Sequence, residues 1–500
     1  MLRALLLLAL SAAPARAVVI SSTAFRGENC KQCHEMIRDR RPASEQPTSK
    51  PAPAGEYDAI VVGGGVSGLT AAYLLKDYRV LVLDKEGRAG GKIRRETYDA
   101  HGYPVAGVYM GEPEGRVQDL FKSLGLKIQP ITRNEHSINI GGTLVHNWLT
   151  EDPAALPYSE PAKDRIRKFQ AFLKAFPEEG GLEIPVENSK PAVLERYERS
   201  TFRQFVDNHY GPEPAELADL YSRDIFGVGA DQISAAAGLE FFASEFTPSF
   251  TWEGGLGRAS EALAVALGPA LSTGSFVWKV AQDLDGVSVS FSRDGRDFEA
   301  RAQAVVFAVP SLVLKRIAAD LGEEKRDALA KVRYSAYAVA PLKIRNVIWK
   351  ESFIYWTPGR FITDLTSPTP AADVLRGATS QVLVAYAPLG EVQGRRTLLT
   401  ATDEELTNKI LADLESLFPG RSGDVLEARV MRWGHAMPVP YPGFLSKVRP
   451  VLARPEGRYF FAGVDTQLPC FEGAVYSGAI AADAARQFLR KRSSGGATPR

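Results

Sequence analysis

The sequence predicts an α/β chain, α+β overall, in which a parallel-sheet domain assembled from discontinuous segments joins a second domain of mixed sheet and helices. Three observations predict it. Residues 57–62 form a short apolar run that enters Gly63-Gly64-Gly65-Val66-Ser67-Gly68, followed by an apolar helical stretch and a second apolar run, 79–83, ending at Asp84. Buried-strand patterns return far along the chain, at 276–280, 286–291, 304–308 and 459–463, before a last helical stretch over 473–489. Between about 153 and 250 the periodicity is helical with charged faces, as in 164–176 and 215–226.

Taken from the N-terminus, Arg3 precedes the apolar run Leu5-Leu6-Leu7-Leu8-Ala9-Leu10, and small residues lead to Ala15-Arg16-Ala17. That is the order of a cleaved Sec-type signal, residues 1–17, which places the mature chain in the periplasm or outside the cell. The run is shorter than the roughly 20 residues that a membrane helix needs. No later stretch is apolar enough to span, so no membrane span is expected after cleavage. Five hundred residues exceed one ordinary core, and a net charge of +1 leaves no footprint for nucleic acid. The cluster Arg490-Lys491-Arg492 beside a Ser/Gly-rich end reads as the start of a disordered tail, 491–500.

Residues 18–54 hold Cys30-Lys31-Gln32-Cys33-His34 and then a Pro-rich linker. This spacing is the attachment motif of c-type haem, with two thiols for the vinyl groups and an imidazole, His34, for the iron. On a helix the three side chains share one face. A Cys30–Cys33 disulfide and a metal site short of ligands are the competing readings. A sixth ligand would come from His101, His136, His146, His209 or a methionine such as Met36.

In the glycine turn, Gly63 permits the tight bend, Gly65 lets the backbone approach a pyrophosphate and Gly68 allows close helix–strand packing. Val66 and Ser67 open a helix whose N–H groups face the phosphates. Asp84, 19 residues past Gly65, stands where an acid accepts ribose hydroxyls. Together these make a Rossmann-type dinucleotide site.

The continuation Asp84-Lys85-Glu86-Gly87-Arg88-Ala89-Gly90-Gly91-Lys92 resembles the second half of the fingerprint in flavin amine oxidases and their relatives, the monoamine oxidases, protoporphyrinogen oxidases and phytoene-type desaturases. Lys92 stands where that pattern has Arg, which keeps the charge and loses the bidentate fork. The resemblance extends to Trp252-Glu253-Gly254-Gly255, to Val277 on an adenine-contacting strand, and to residues 304–310. It closes with Phe461-Ala462-Gly463-Val464-Asp465 and Glu472-Gly473-Ala474. It implies FAD, held by Gly63, Gly65, Val66, Ser67, Gly68, Asp84, Lys85, Arg88, Gly90, Gly91, Lys92, Val277, Gly463, Asp465, Gly473 and Ala474. It also implies an FAD-binding domain from 55–140, 245–320 and 455–490, and a substrate domain from 141–244 and 321–454.

In this family the protein orients a C–H or C–N bond of a small-molecule substrate against the flavin, so no catalytic triad is expected. The resemblance implies aromatic faces at Trp433 and Tyr441, for which core packing is the bland reading. It implies a water-holding lysine at Lys343, for which a surface strand lysine is the alternative. Cys470 stands where an aromatic residue of the amine oxidase cage is usual, and reads as a reactive thiol, a flavin tether or a buried inert cysteine. The missing ring moves weight from a simple amine oxidase towards dehydrogenase or desaturase chemistry. If haem is present, two electrons arrive at the flavin as hydride and leave singly through the haem to an external acceptor such as a cytochrome or quinone. The alternatives are an oxygen-using amine oxidase without haem and a non-catalytic electron carrier.

Overall fold

A computed structural model describes residues 18–21, 26–28, 51–99, 101–178 and 180–495. Residues 1–17 and the motif residues Cys30, Cys33 and His34 lie outside the described residues.

The first sheet has seven strands. In order they are Leu271–Ser272, Val80–Leu83, Ala52–Val62, Arg296–Phe307, Val287–Arg293 and Phe276–Gln282, with Tyr459–Phe461 alongside Arg296–Phe307. The central strands run parallel, with Ile60 opposite both Leu81 and Val305, and Val305 opposite Tyr459. Strand residues alternate between faces. Ala59, Val61, Val82, Ala304 and Val306 pack under Val66–Leu74, Gly257–Leu267 and Phe471–Gly495. Ile60, Leu81, Val305 and Phe307 face the other way, towards Leu314 and Ile317. Both faces are therefore covered, which is why these strands read as continuous apolar runs rather than alternating ones.

The second sheet has nine strands, in the order Val19–Ile20, Val425–Ala428, Ala336–Arg345, Ser380–Gly390, Asp364–Thr366, Ser352–Trp356, Asn134–Ile140 and Thr143–His146, with Met431–Trp433 also on Ala336–Arg345. Against it lies a helical block that includes Glu160–Ala175, Phe202–Tyr210, Pro212–Phe226 and Ala235–Ser244. Thr201 and Gln204 form a capping box that starts Phe202–Tyr210, and Gly227 in the left-handed region ends Pro212–Phe226. The fold class is the mixed α/β arrangement that the apolar runs predict.

Two boundaries differ from the sequence reading. The first long strand begins at Ala52, inside the stretch read as linker, because Ala52 and Pro53 pair with Phe298 and Glu299. The last helix runs to Gly495, past the expected tail boundary at 490, since its charged end continues the turn without a break. Among the described residues no helix is long and apolar enough to cross a membrane.

Candidate cofactor site

The glycine turn explains its own composition. Gly63 has φ +108°, and a Cβ there would stand 2.4 Å from Ala308 O. A Cβ on Gly68 would meet Gly63 O at 1.9 Å, so helix and turn approach as only glycine permits. Nothing lies within 4 Å of the missing Cβ of Gly65, and no side chain caps the helix Val66–Leu74 that begins there. No side chain takes its first amides, those of Val66, Ser67 and Gly68, the arrangement that receives a phosphate.

The second half of the fingerprint folds back onto the first. Gly90 N donates to Gly64 O at 2.7 Å, and Gly91 packs against Gly65 Cα. Asp84 is held at the sheet end by Gly64 N and by Glu86 N at 2.7 Å, and burial pushes its carboxyl up. Ser275 N reaches Asp84 O at 2.7 Å, which brings the buried Val277 of the next strand alongside. Lys85 pairs with Glu86, and Arg88, 53% exposed, pairs with Glu96 at 3.3 Å. These two sit at the solvent edge.

The closing motif arrives from the far end of the chain. Gly463 (φ +115°) has no atom within 4 Å of its missing Cβ, and its N–H is held by Ser477 Oγ at 2.9 Å. Asp465 Oδ2 accepts from Ser311 N at 2.8 Å, Ser311 Oγ at 2.6 Å and Tyr334 OH, so this one oxygen latches the sheet end. At the start of Phe471–Gly495, Gly473 N donates to Cys470 Sγ at 3.2 Å and Ala474 N to Cys470 O at 3.1 Å. Burial, and then the neighbouring Glu472, push the Cys470 thiol well above its usual range. A neutral thiol used as a helix cap is a poor nucleophile. Iodoacetamide is therefore expected to leave Cys470 unmodified in native protein and to alkylate it after unfolding, as read by peptide mass mapping.

Lys92 is a cation set between Glu28 and Asp465. Burial lowers its proton affinity, and Glu28 and Asp465 oppose that. Glu28 was not identifiable from sequence, since nothing in its neighbourhood links it to residues 400 positions away. Its carboxylate accepts from His435 N at 2.6 Å and pairs with His435 Nδ1 at 3.1 Å. The segment reaches this position by pairing Val19–Ile20 with Val425–Ala428, by the Gly27–Arg432 bridge and by the Arg26–Asp403 ion pair. Burial raises the Glu28 pKa, but His435 and Lys92 outweigh it and hold the group at about 2. A depressed carboxylate contributes stability above its unfolded pKa that is lost as pH falls through the folded value. Acid should release residues 18–28 between about pH 4.5 and pH 2, and Glu28→Gln should flatten that limb; limited proteolysis across the range checks it.

The candidate catalytic residues separate. Trp433 is buried and donates from Nε1 to Val105 O at 2.8 Å, opposite Tyr337 in the sheet. Residues 105–110 follow Lys92 in space, with Gly107 N on Lys92 O at 3.2 Å, so Trp433 walls this side. Tyr441 instead donates to Lys331 O at 3.1 Å, beneath the Arg333 guanidinium. Lys343 pairs with Asp99, six residues along the strand from Tyr337, about 20 Å away. Its alternation with apolar neighbours puts it on the partly exposed side of that strand, which favours the strand-lysine alternative.

An open glycine cradle, uncapped helix amides and one half-buried lysine fit a dinucleotide carrying a pyrophosphate. The model of the family described as flavin containing amine oxidoreductase matches residues 66–486. Bovine amine oxidase [flavin-containing] A is 25% identical over 481 residues, covering 89% of this chain and 88% of the relative. An L-amino-acid oxidase of Siganus canaliculatus is 24% identical over 442 residues, covering 82% and 81%. The structure of cyclohexylamine oxidase from Brevibacterium oxydans superposes with a TM-score of 0.68 at 20% identity, over 87% of this chain and 99% of that one. The chain belongs to the flavin-containing amine oxidoreductases and is an FAD-dependent oxidoreductase.

Proposed function

We propose that this is an exported amine dehydrogenase, which oxidises a C–N bond of a small molecule and delivers the electrons through a c-type haem to an external cytochrome or quinone. The observation that carries the reading is the position of Glu28. It is docked against His435 and beside Lys92, and Cys30 of the Cys30-x-x-Cys33-His34 motif follows two residues later in the sequence. A haem bonded to Cys30 and Cys33, with His34 on its iron, would thus be tethered near the cofactor lysine. The Sec-type signal supports the same reading, because c-type haem attachment takes place outside the cytoplasm.

FAD, when bound, supplies the two-electron acceptor. The chain's own part is positional. Gly65 and the amides of Val66–Leu74 seat the phosphates, Lys92 balances their charge, and Trp433 with residues 105–110 shields the ring side from water. On this reading residues 55–140, 245–320 and 455–490 form the FAD-binding domain, and 141–244 with 321–454 the substrate domain. C–N oxidation is favoured because the relatives are named for amines and amino acids.

The test is an absorption spectrum of protein exported in a host with haem-attachment machinery, before and after dithionite, with a haem-stained denaturing gel. Flavin bands with a sharp reduced α-band, retained on the gel, are expected. Flavin bands alone would reduce Cys30 and Cys33 to a disulfide and return the oxygen-using oxidase, which the relatives' names favour, to the front.

A further inference from the structure

Residues 26–28 precede the region that the family model matches, yet they end on the cofactor centre. Backbone seats them first. Arg432 N donates to Arg26 O at 2.8 Å, and a Cβ on Gly27, where φ is +82°, would stand 2.7 Å from Arg432 O. Backbone lies on backbone there, as only glycine permits. Arg26 also pairs with Asp403 at 3.4 Å. Glu28 then grips His435 with both oxygens, Oε2 taking the backbone N–H and Oε1 the ring Nδ1–H. An ionised carboxylate only accepts, so Nδ1 carries the proton.

His435 carries this grip towards the cofactor. Its ring meets Tyr334 edge-on, with centroids 5.5 Å apart, and Tyr334 OH donates to Asp465 of the closing motif. Asp465 and Glu28 are in turn the two carboxylates whose charges act on Lys92. Glu28, His435, Tyr334, Asp465 and Lys92 thus close a circuit drawn from separate stretches of the chain. Among the described residues no hydrogen bond or ion pair engages Lys92 Nζ. Field rather than contact holds this ammonium, and its donors remain open to a ligand.

A half-buried ammonium keeps its proton only where negative charge offsets the water it has lost. Asp465 supplies one such charge, although its Oδ2 already serves three donors. Burial would neutralise the second, Glu28, but His435 and Lys92 keep it ionised. The Tyr334 phenol behind them is pushed well up by burial and stays neutral. We infer that Glu28 is a positioning residue of the flavin site: docked on His435, it holds the Lys92 ammonium ready for the phosphates of FAD, so that cofactor binding and docking of residues 26–28 favour each other. Such a coupling is reciprocal by linkage. It rests on FAD binding and not on the haem reading, and is the same with or without haem on Cys30 and Cys33.

The test follows release of FAD from the full-length holoprotein on serial dilution, by the return of flavin fluorescence, between about pH 6 and pH 10. Affinity should fall as pH rises through the titration of Lys92, and loss of the Glu28 charge should start that fall at lower pH. Glu28→Gln is expected to weaken FAD about tenfold at the alkaline end and little at the acid end, the effect of about one pKa unit. Glu28→Asp should recover part of this. Lys92→Arg, whose cation does not titrate in this range, should abolish the fall and most of the effect of Glu28→Gln with it. In wild type, excess FAD should slow tryptic cleavage after Arg26 about tenfold, the reciprocal of the same coupling. A loss equal at every pH and undiminished beside Lys92→Arg overturns the inference and leaves Glu28 a purely structural role. Tighter binding by Glu28→Gln, or cleavage after Arg26 indifferent to FAD, overturns it as well. Should Glu28→Gln not fold, the trypsin measurement on wild type decides alone. None of these outcomes touches the haem, which its own spectrum decides.

Discussion

Gly68→Ala is expected to yield protein with almost no bound flavin and reduced stability. The new methyl would lie 1.9 Å from Gly63 O and 3.0 Å from Ala308 Cβ, both fixed by the sheet. Gly63 cannot retreat, because its N–H is tied to Leu83 O at 2.9 Å. The helix must therefore move off the strands, which costs about 1–3 kcal/mol or more for overpacking and displaces the amides that face the phosphates. Gly65→Ala is the informative partner. Its methyl meets nothing within 4 Å, so the apoprotein should unfold at the same denaturant concentration as wild type while flavin affinity falls at least about tenfold, as the methyl occupies the space a pyrophosphate needs. Flavin absorbance after gel filtration and urea unfolding of each apoprotein measure the two effects. Equal behaviour of the two variants would show that the turn does not divide its roles this way.

Asp465→Ala should be the most damaging change in the closing motif. The residue is 8% exposed and receives three donors, from Ser311 N, Ser311 Oγ and Tyr334 OH. Removing it takes the acceptor from the Ser311 hydroxyl and the buried Tyr334 phenol, leaves Ser311 N only Tyr334 OH at 2.9 Å, and takes one of two carboxylates from Lys92. A loss of about 3–5 kcal/mol is expected, as for breaking a buried charged network. Asp465→Asn keeps one acceptor oxygen and should cost roughly half as much. The midpoint of flavin release in urea reads both. An unchanged midpoint in the alanine variant would mean that the latch is carried elsewhere.

The parallel-sheet unit was legible because its parts are close in sequence and each obeys a local rule. The turn needs glycines where backbone meets backbone, the strands are apolar on both faces, and the acid ends the second strand at a fixed distance. Trp433 was legible as an aromatic and only the fold showed which carbonyl it holds. Lys343 was legible as a strand lysine, and only the fold showed that Asp99 is its partner. Cys470 was legible as a departure from the aromatic cage, and its capping of Gly473 and Ala474 needed the helix start in place.

By itself the sequence determined the mixed α/β class, the dinucleotide turn with Gly63, Gly65, Gly68 and Asp84, and the flavin family through the Gly90-Gly91-Lys92 continuation. Short-range sterics and strand–turn–helix periodicity dictate all of these. Only the tertiary structure decided that Glu28 pairs with His435, 407 residues away, and balances Lys92, and that Asp224, Asp364 and Glu245 share one buried space. Such groupings follow from how two sheets and a helical block close on one another. Charges meet there across separations at which no local pattern constrains them, and burial then strengthens each encounter.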